Sequence, residues 1–354
     1  MRTRILAAAA TILLLAGCGG PKPEIPQQQA GNRPDTSKIK IDGDPDTPVN
    51  KLAIEAIADL QDFWSKEFGE LYGEDYKPVA GGFFASTPES QTGPKCAQSY
   101  DDVAGNAFYC KLDDSVAWDA QGLLPDLKDK FGDFVIPVVL AHEWGHAIHS
   151  HLSNKGQPFA TAGYAIFVAE IASTTNEGLL LDYMLKGAKD DDERMLYLGS
   201  ALETLRGTYF RQTMFAEFER RVHDTVDKGQ SLTGAQLTQI YGEILRRYHG
   251  DAVKIDDLYA IEWAYIPHFY SPFYVFQYAT SIAAGSLFAD DILASRPGAR
   301  ERYLKLLSAG GSDYPYELVK AAGVDLATPA PYNAIAARMN RIMDEIEVII
   351  AKRK

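Results

Sequence analysis

Positive charge is scarce in this chain of 354 residues, in which 35 Lys and Arg stand against 48 Asp and Glu. The formal net charge is −13. Binding to the phosphate backbone of a nucleic acid needs a basic surface, so the sequence predicts no nucleic-acid partner. The same acidity gives no attraction to an anionic membrane. Any link to a membrane must therefore come from another feature.

Long hydrophobic runs are also missing, apart from one at the N-terminus. The apolar run from Ile5 to Leu15 follows Arg2 and Arg4 and is too short to span a bilayer, which is typical of a signal peptide. It leads into Leu-Ala-Gly-Cys at Cys18, which resembles the box where bacterial lipoproteins are cleaved and lipidated. An ordinary cleaved signal with a chance Cys is the alternative. Residues 1–18 therefore predict an exported chain, lipid-anchored to the periplasmic or extracellular face of a bacterial membrane.

Cysteine is rare, and only Cys96 and Cys110 follow Cys18. Disulfides persist outside the cytoplasm, so these two thiols are predicted to pair and to stabilise the fold by about 3 kcal/mol. Two free buried thiols are the alternative. A metal site at these cysteines is disfavoured because no His or further Cys lies nearby.

The rest of the chain divides into three parts by composition, without an internal repeat. Residues 19–46 are rich in Pro, Gln and Gly, which predicts a disordered tether. Residues 47–354 are predicted to form one folded domain. Its first part, 47–132, predicts a helix over 48–72 and a small sheet from short runs at 81–84, 107–110 and 115–118.

The last part, 133–354, reads as helix almost throughout, so the predicted fold class is mainly α with a small sheet, in an α+β arrangement. The predicted helices are 134–154, 162–185, 190–228, 234–248, 257–265, 272–294, 298–309, 315–322 and 331–352.

The helix predicted at 134–154 carries the pattern HExxH, formed by His142, Glu143 and His146. Positions i and i+4 share one face of a helix, so the two imidazoles can reach one zinc ion. Glu143 can then take a proton from water that the zinc activates. The motif lies among apolar residues, which argues against two histidines on a solvent-facing helix.

A third zinc ligand is predicted on the next helix. Position 149 is His and position 152 is Leu, which excludes the class that takes its third ligand from HExxHxxGxxH. Glu170 lies in an apolar stretch where a buried carboxylate needs a partner. A salt bridge to a distant Arg or Lys is the alternative to zinc. Glu177, two turns further on, could bond the free nitrogen of a ligand His, and His149 is predicted to support the site or to contact substrate.

At this point the chain resembles the oligoendopeptidase F group of thimet oligopeptidase-like metallopeptidases, over about residues 138–350. Four segments carry the resemblance, in the same order: 142–185, 206–219 (RGTYFRQTMFAEFE), 261–280 (IEWAYIPHFYSPFYVFQYAT) and 309–315 (AGGSDYP). The resemblance implies a zincin-type peptidase with one zinc held by His142, His146 and Glu170, and with Glu143 as general base. It also implies that His268 and one or more of Tyr270, Tyr274 and Tyr278 bind the peptide carbonyl. Of these tyrosines, Tyr274 and Tyr278 are predicted to be catalytic.

The N-terminal side departs from that group, which has a long helical domain before its zinc helix. Segments 106–110, 114–119 and 131–134 instead resemble bacterial neutral zinc metallopeptidases, and imply a short sheet that borders the cleft. The expected function is a zinc endopeptidase acting on oligopeptides or unfolded polypeptides. The alternatives are an exopeptidase and a lipoprotein that keeps the fold but only binds peptides or an envelope partner.

Overall fold

The computed structural model describes residues 35–72, 75–251 and 253–353, so the predicted signal peptide and Cys18 lie outside the described residues. The strands are β1 (Ile41–Asp42), β2 (Gly82–Ser86), β3 (Ala107–Cys110) and β4 (Ser115–Asp119). The helices are α1 (Pro48–Tyr72), α2 (Leu123–Phe131), α3 (Val135–Gly156), α4 (Ile166–Gly187), α5 (Asp191–Thr204), α6 (Gln212–Asp227), α7 (Gly234–His249), α8 (Phe276–Leu293), α9 (Ala299–Leu307), α10 (Pro315–Ala321) and α11 (Ala330–Lys352). This confirms the predicted fold class.

The four strands form one sheet in the order β1-β2-β4-β3. β1, β2 and β4 run parallel, whereas β3 is antiparallel to β4 and lies at the edge of the sheet. Every residue of β4 is buried, as expected for an inner strand covered on both faces. Helix α1 packs on α3 and contributes apolar side chains to the core that the sheet also lines. Trp118 of β4 donates a hydrogen bond to the Asn50 side chain of α1.

The predicted tether extends too far into the chain. Within residues 19–46, Thr36–Lys38 form a 3-10 turn and Ile41–Asp42 form β1, which pairs with Phe83 and Phe84 of β2. The pairing explains the error, because a two-residue strand held by a distant partner leaves no periodic pattern in the sequence.

Two helix predictions also need correction. The run predicted at 190–228 is split by a π-helical turn at Leu205–Arg211, so α5 and α6 are separate. The helix predicted from 272 begins only at Phe276, and the residues before it include two 3-10 segments, Asp257–Tyr265 and Pro267–Tyr270. Helix α2 was not predicted. It begins where the Asp119 carboxylate accepts hydrogen bonds from the N–H groups of Gly122 and Leu123.

Helix α4 is packed between α3 and α8, and glycines allow the backbones to approach closely. A Cβ at Gly145 of α3 would lie 2.7 Å from the Cα of Ser173 in α4. A Cβ at Gly285 of α8 would lie 3.0 Å from the backbone nitrogen of Thr175 in α4. None of the helices in the described ranges combines the length and apolar character that a membrane crossing would need.

Candidate metal centre

The close contact of α3 with α4 brings the three predicted ligands together. Nε2 of His142 lies 3.2 Å from Nε2 of His146, and Oε2 of Glu170 lies 3.3 Å and 3.6 Å from these two nitrogens. Zinc ligands at about 2.0–2.1 Å in a tetrahedron lie roughly 3.4 Å apart. The three atoms are therefore spaced as one tetrahedral ion requires, and this is the one such group of His, Cys, Asp and Glu found among the described residues.

The environment of Glu170 also fits a cation. The side chain is 2% exposed, and its Oε1 has no hydrogen-bond partner. Burial favours the neutral carboxyl, but the neighbouring charges of His146 and His142 outweigh it and lower the pKa of Glu170 below its usual range. A buried carboxylate oxygen without a partner is costly. A metal bound by two imidazoles and this carboxylate removes that cost, and the nitrogen and oxygen donors suit zinc.

Glu177 orients the first histidine. Its Oε1 lies 2.6 Å from Nδ1 of His142, which leaves Nε2 of the same ring free to point at the triad. Burial opposes protonation of His142, but the hydrogen bonds to Glu170 and Glu177 raise its pKa well above the usual value. Beside Glu177, the Asn176 amide donates to the carbonyl oxygen of Ala141 and joins α4 to α3. Such carboxylate–imidazole pairs are the usual support of a ligand His.

Glu143 is held by the sheet rather than by its own helix. Its side chain is 3% exposed, and its Oε2 accepts a hydrogen bond of 2.8 Å from the backbone N–H of Tyr109 in β3. Burial raises the pKa of Glu143, and the charges of His142 and His146 oppose that rise. A carboxylate whose pKa is shifted toward neutrality is better suited to take up and release a proton.

Tyr109 is a residue that the sequence prediction missed as part of the site. A backbone donor leaves no side-chain signature, so only the resemblance of segment 106–110 to other zinc peptidases pointed to this strand. The next residue, Cys110, forms a disulfide with Cys96 and so fixes the end of β3 beside the predicted base.

His149 lies outside the triad. Its ring is fully buried and stacks on Tyr164 with ring centroids 3.6 Å apart, and neither ring nitrogen has a hydrogen-bond partner. Burial, with a smaller contribution from His146, lowers the pKa of His149 to about 3. The predicted substrate contact is inconsistent with this burial. A supporting role beside His146 stays a prediction.

His268, Tyr274 and Tyr278 form a second cluster. The ring of His268 lies 5.8 Å from that of Tyr274 and 6.1 Å from that of Tyr278, and the hydroxyls of the two tyrosines are 3.0 Å apart. Burial lowers the pKa of His268, which favours the neutral imidazole. Burial also raises the pKa of Tyr274, and the hydrogen bond from Tyr278 opposes that rise.

Among the tyrosines left open by the sequence, the structure separates three environments. Tyr270 is 84% exposed, whereas Tyr278 is 3% exposed and hydrogen-bonded to Tyr274. Tyr274 has an intermediate exposure between these two. A hydroxyl that must meet a substrate carbonyl needs both a fixed position and some exposure, and Tyr274 combines the two best.

Two family profiles match the chain, and they divide it at α3. Residues 137–337 match "Peptidase family M3". Residues 11–157 match "Putative neutral zinc metallopeptidase". The two matches overlap across the HExxH motif, and the first covers more than half of the chain.

Among curated proteins, Oligopeptidase PepF of Bacillus subtilis (strain 168) is 44% identical over 215 residues, which is 61% of this chain and 32% of that protein. The chromosomal oligoendopeptidase F of Lactococcus lactis subsp. cremoris is 36% identical over 285 residues, covering 80% of this chain and 44% of that protein. The chain thus spans less than half the length of these relatives.

Among solved structures, oligoendopeptidase-F from Enterococcus faecium superposes with a TM-score of 0.56 at 41% identity. The superposition covers 62% of this chain and 40% of that one.

Proposed function

The chain belongs to peptidase family M3, and on that premise we propose that it is a zinc-dependent endopeptidase that cleaves oligopeptides or unfolded polypeptides. The carrying observation is the triad of His142, His146 and Glu170 at the spacing of a tetrahedral ion. Glu143 lies on the same helix between the two histidines. The relatives are named oligopeptidases and oligoendopeptidases, which supports peptides as the substrate class.

His142, His146 and Glu170 would hold the zinc, and Glu177 would keep the His142 ring in place. When bound, zinc supplies Lewis-acid polarisation of the scissile carbonyl and lowers the pKa of the attacking water. The carboxylate of Glu143 takes a proton from that water and delivers it to the leaving amine. The Tyr109 N–H keeps this carboxylate oriented while the proton is transferred.

The second cluster is proposed to stabilise the negative charge that develops on the carbonyl oxygen. The Tyr274 hydroxyl donates to this oxygen, Tyr278 holds that hydroxyl by the 3.0 Å contact between them, and a neutral His268 is a second donor. Donors that are already oriented act more strongly in a site that excludes water, and each contributes several kcal/mol to the transition state, about 3–4.

The edge of β3 is proposed to bind the substrate backbone. Because β3 pairs only with β4 among the described strands, the backbone groups on its other side that Glu143 does not use can add an extended peptide. A peptide bound along this edge extends beyond the metal site in both directions. This arrangement favours cleavage of internal bonds, as in an endopeptidase, over removal of terminal residues, as in an exopeptidase.

The cellular location is proposed from the sequence alone. The N-terminal run and Cys18 support an exported chain with a lipid anchor in the bacterial cell envelope. Labelling of the intact chain with a fatty-acid probe, and loss of label in Cys18→Ala, would test the anchor.

Cleavage of quenched fluorescent peptides of graded length, and of an unfolded protein, tests the activity with and without a chelator. We expect chelator-sensitive cleavage of internal bonds. Glu143→Gln should lower the rate by about 10²- to 10⁴-fold while the protein keeps its zinc, because only the proton acceptor is lost. Glu243→Gln, an exposed carboxamide on α7, is the control and should cleave normally.

The outcomes separate the alternatives. Release of single terminal residues would indicate an exopeptidase. Zinc binding and peptide binding without cleavage would favour the peptide-binding lipoprotein. Full activity in Glu143→Gln would contradict the mechanism.

A further inference from the structure

We propose that Glu219 is a positioning residue, which anchors the backbone at Phe273 and thereby holds Tyr274 in place against His268 and Tyr278. The inference rests on the proposed function for its catalytic consequence. The structural part, the anchoring of residue 273 by α6, can be tested without any activity. Glu219 is the last residue of segment 206–219, one of the four segments that carry the resemblance to oligoendopeptidase F. The mechanism proposed above gives this segment no role.

Glu219 is a carboxylate on the apolar face of its helix. It lies one turn from Phe215 and next to Phe218, both buried, and is itself 5% exposed. Burial raises the pKa of Glu219, and a hydrogen bond from the N–H of Phe273 opposes that rise. This bond is 2.7 Å long and joins residues 54 positions apart. A buried carboxylate is retained where it accepts hydrogen bonds, so its placement at this N–H is the feature to explain.

Phe273 adopts a backbone conformation that its side chain disfavours. Its φ is +57°, in the left-handed region that large residues rarely occupy without support from their surroundings. The support comes from α6 twice. Glu219 binds the N–H of residue 273, and His223, one turn later on the same helix, contacts the Phe273 ring at 4.5 Å between centroids.

The residues on either side of this point are already fixed. Ile266 and Val275 are buried, and the ring of Phe269 packs on Phe215 and Phe218 at 5.6 Å and 5.2 Å. The stretch between them, from Tyr270 to Phe273, is largely exposed, and its hydrogen bond to α6 is the one at residue 273. The conformation of residue 273 therefore decides the direction in which the chain enters Tyr274.

An independent contact secures the start of the same segment. The guanidinium of Arg211, at the end of the π-helical turn, bonds one oxygen of Glu262, and the Tyr241 hydroxyl bonds the other. Segment 206–219 thus holds segment 261–280 at two places. The contact at Glu262 lies 12 residues before Tyr274 along the chain. The contact between Glu219 and Phe273 lies one residue before Tyr274.

Amide hydrogen exchange measures the anchor directly. In the zinc-loaded wild type the amide of Phe273 should be protected, and Glu219→Leu should remove that protection. Glu219→Gln should keep it, because the amide oxygen still accepts the N–H. Glu217→Leu is the control, since Glu217 pairs with Arg221 and Arg247 and not with this segment. Unchanged protection in Glu219→Leu would overturn the proposal.

A double-mutant cycle measures the consequence for catalysis. Glu219→Leu should lower kcat by about 10- to 100-fold with KM nearly unchanged, as expected when a transition-state donor is displaced. In a Tyr274→Phe background the same change should have little further effect, because the displaced hydroxyl is already absent. An equal loss in both backgrounds would show a general structural role and would overturn the positioning role.

A second variant covers the case in which Glu219→Leu does not fold. Phe273→Pro leaves the core untouched, removes the donor N–H and excludes a positive φ, so it should reproduce the loss of kcat. Normal kcat in Phe273→Pro would contradict the proposal. If the wild type cleaves no peptide, the proposed function fails, and the exchange experiment still decides whether Glu219 anchors residue 273.

Discussion

The triad of His142, His146 and Glu170 and the second cluster, proposed to bind the substrate carbonyl, are built in opposite ways. His142 and His146 project from the middle of α3, and Glu170 from the second turn of α4. These two helices have 22 residues each and touch through Gly145. His268 and Tyr274 lie on 3-10 turns and irregular backbone between α7 and α8. The geometry of the triad is set by the periodicity of two helices. The second cluster depends on contacts that reach it from residues about 50 positions away in the chain.

The difference predicts where each site is vulnerable. A ligand on a long, packed helix is fixed by many backbone hydrogen bonds, so only a change to the ligand itself should disturb it. A residue on a short turn is fixed by a few named contacts, so distant substitutions should displace it. The largest effects are therefore expected at the triad, and graded effects at the cluster.

Glu170→Gln tests the triad and should have the largest effect. The neutral amide is a poor zinc ligand, so metal affinity should fall by more than about 100-fold, beyond the loss usual for a supporting residue, and cleavage should disappear with it. Metal content after gel filtration, together with the rate at saturating zinc, measures both. Thermal unfolding of the metal-free forms is the control, because a fold held by the helices should survive the change.

Full zinc occupancy in Glu170→Gln would remove the basis of the comparison. The third ligand would then lie elsewhere, and the apolar setting of Glu170 would need another explanation.

Tyr274→Phe tests the cluster and should have the next largest effect. Loss of one oriented donor should lower kcat by about 10²- to 10³-fold, with zinc content unchanged because the hydroxyl is not a predicted ligand. Tyr270→Phe is the matched control, since its hydroxyl belongs to a side chain that is 84% exposed. A larger loss in Tyr270→Phe than in Tyr274→Phe would mean that the segment rearranges when substrate binds.

The same contrast explains how much the sequence predicted. The helical spacing of His142 and His146 and the apolar stretch around Glu170 predicted a triad that the structure brings together. Helix α1 was predicted with its observed bounds, and strand β3 likewise, because each carries a local pattern of its own.

Features fixed by distant partners could not be predicted in this way. The strand β1 pairs with β2, which lies about 40 residues further on. In the break before α8, Phe273 has a left-handed conformation and donates its N–H to Glu219, 54 residues earlier. The contact of Tyr109 with Glu143 is a backbone contact and has no composition or periodicity. The residues that form these features are visible in the sequence, but no local pattern shows which distant residue each one contacts.

Removal of the disulfide is expected to have the smallest effect on activity. It tests the comparison because Cys110 follows Tyr109 in β3, and the Tyr109 N–H is the contact between the sheet and Glu143. Replacing Cys96 and Cys110 with Ala should lower the free energy of unfolding by about 3 kcal/mol, since the closed loop is short. Cleavage should fall by less than about tenfold, under about 1.4 kcal/mol in the barrier. The reason is that Tyr109 stays paired with Val116 of β4 and keeps its N–H at Glu143.

Denaturant unfolding and peptide cleavage measure the two effects. The disulfide is removed by substitution because thiol reductants also bind zinc. A loss of activity as large as that of Glu143→Gln would show that the disulfide-bonded loop positions Glu143. The site on α3 and α4 would then depend on distant contacts as much as the second cluster does.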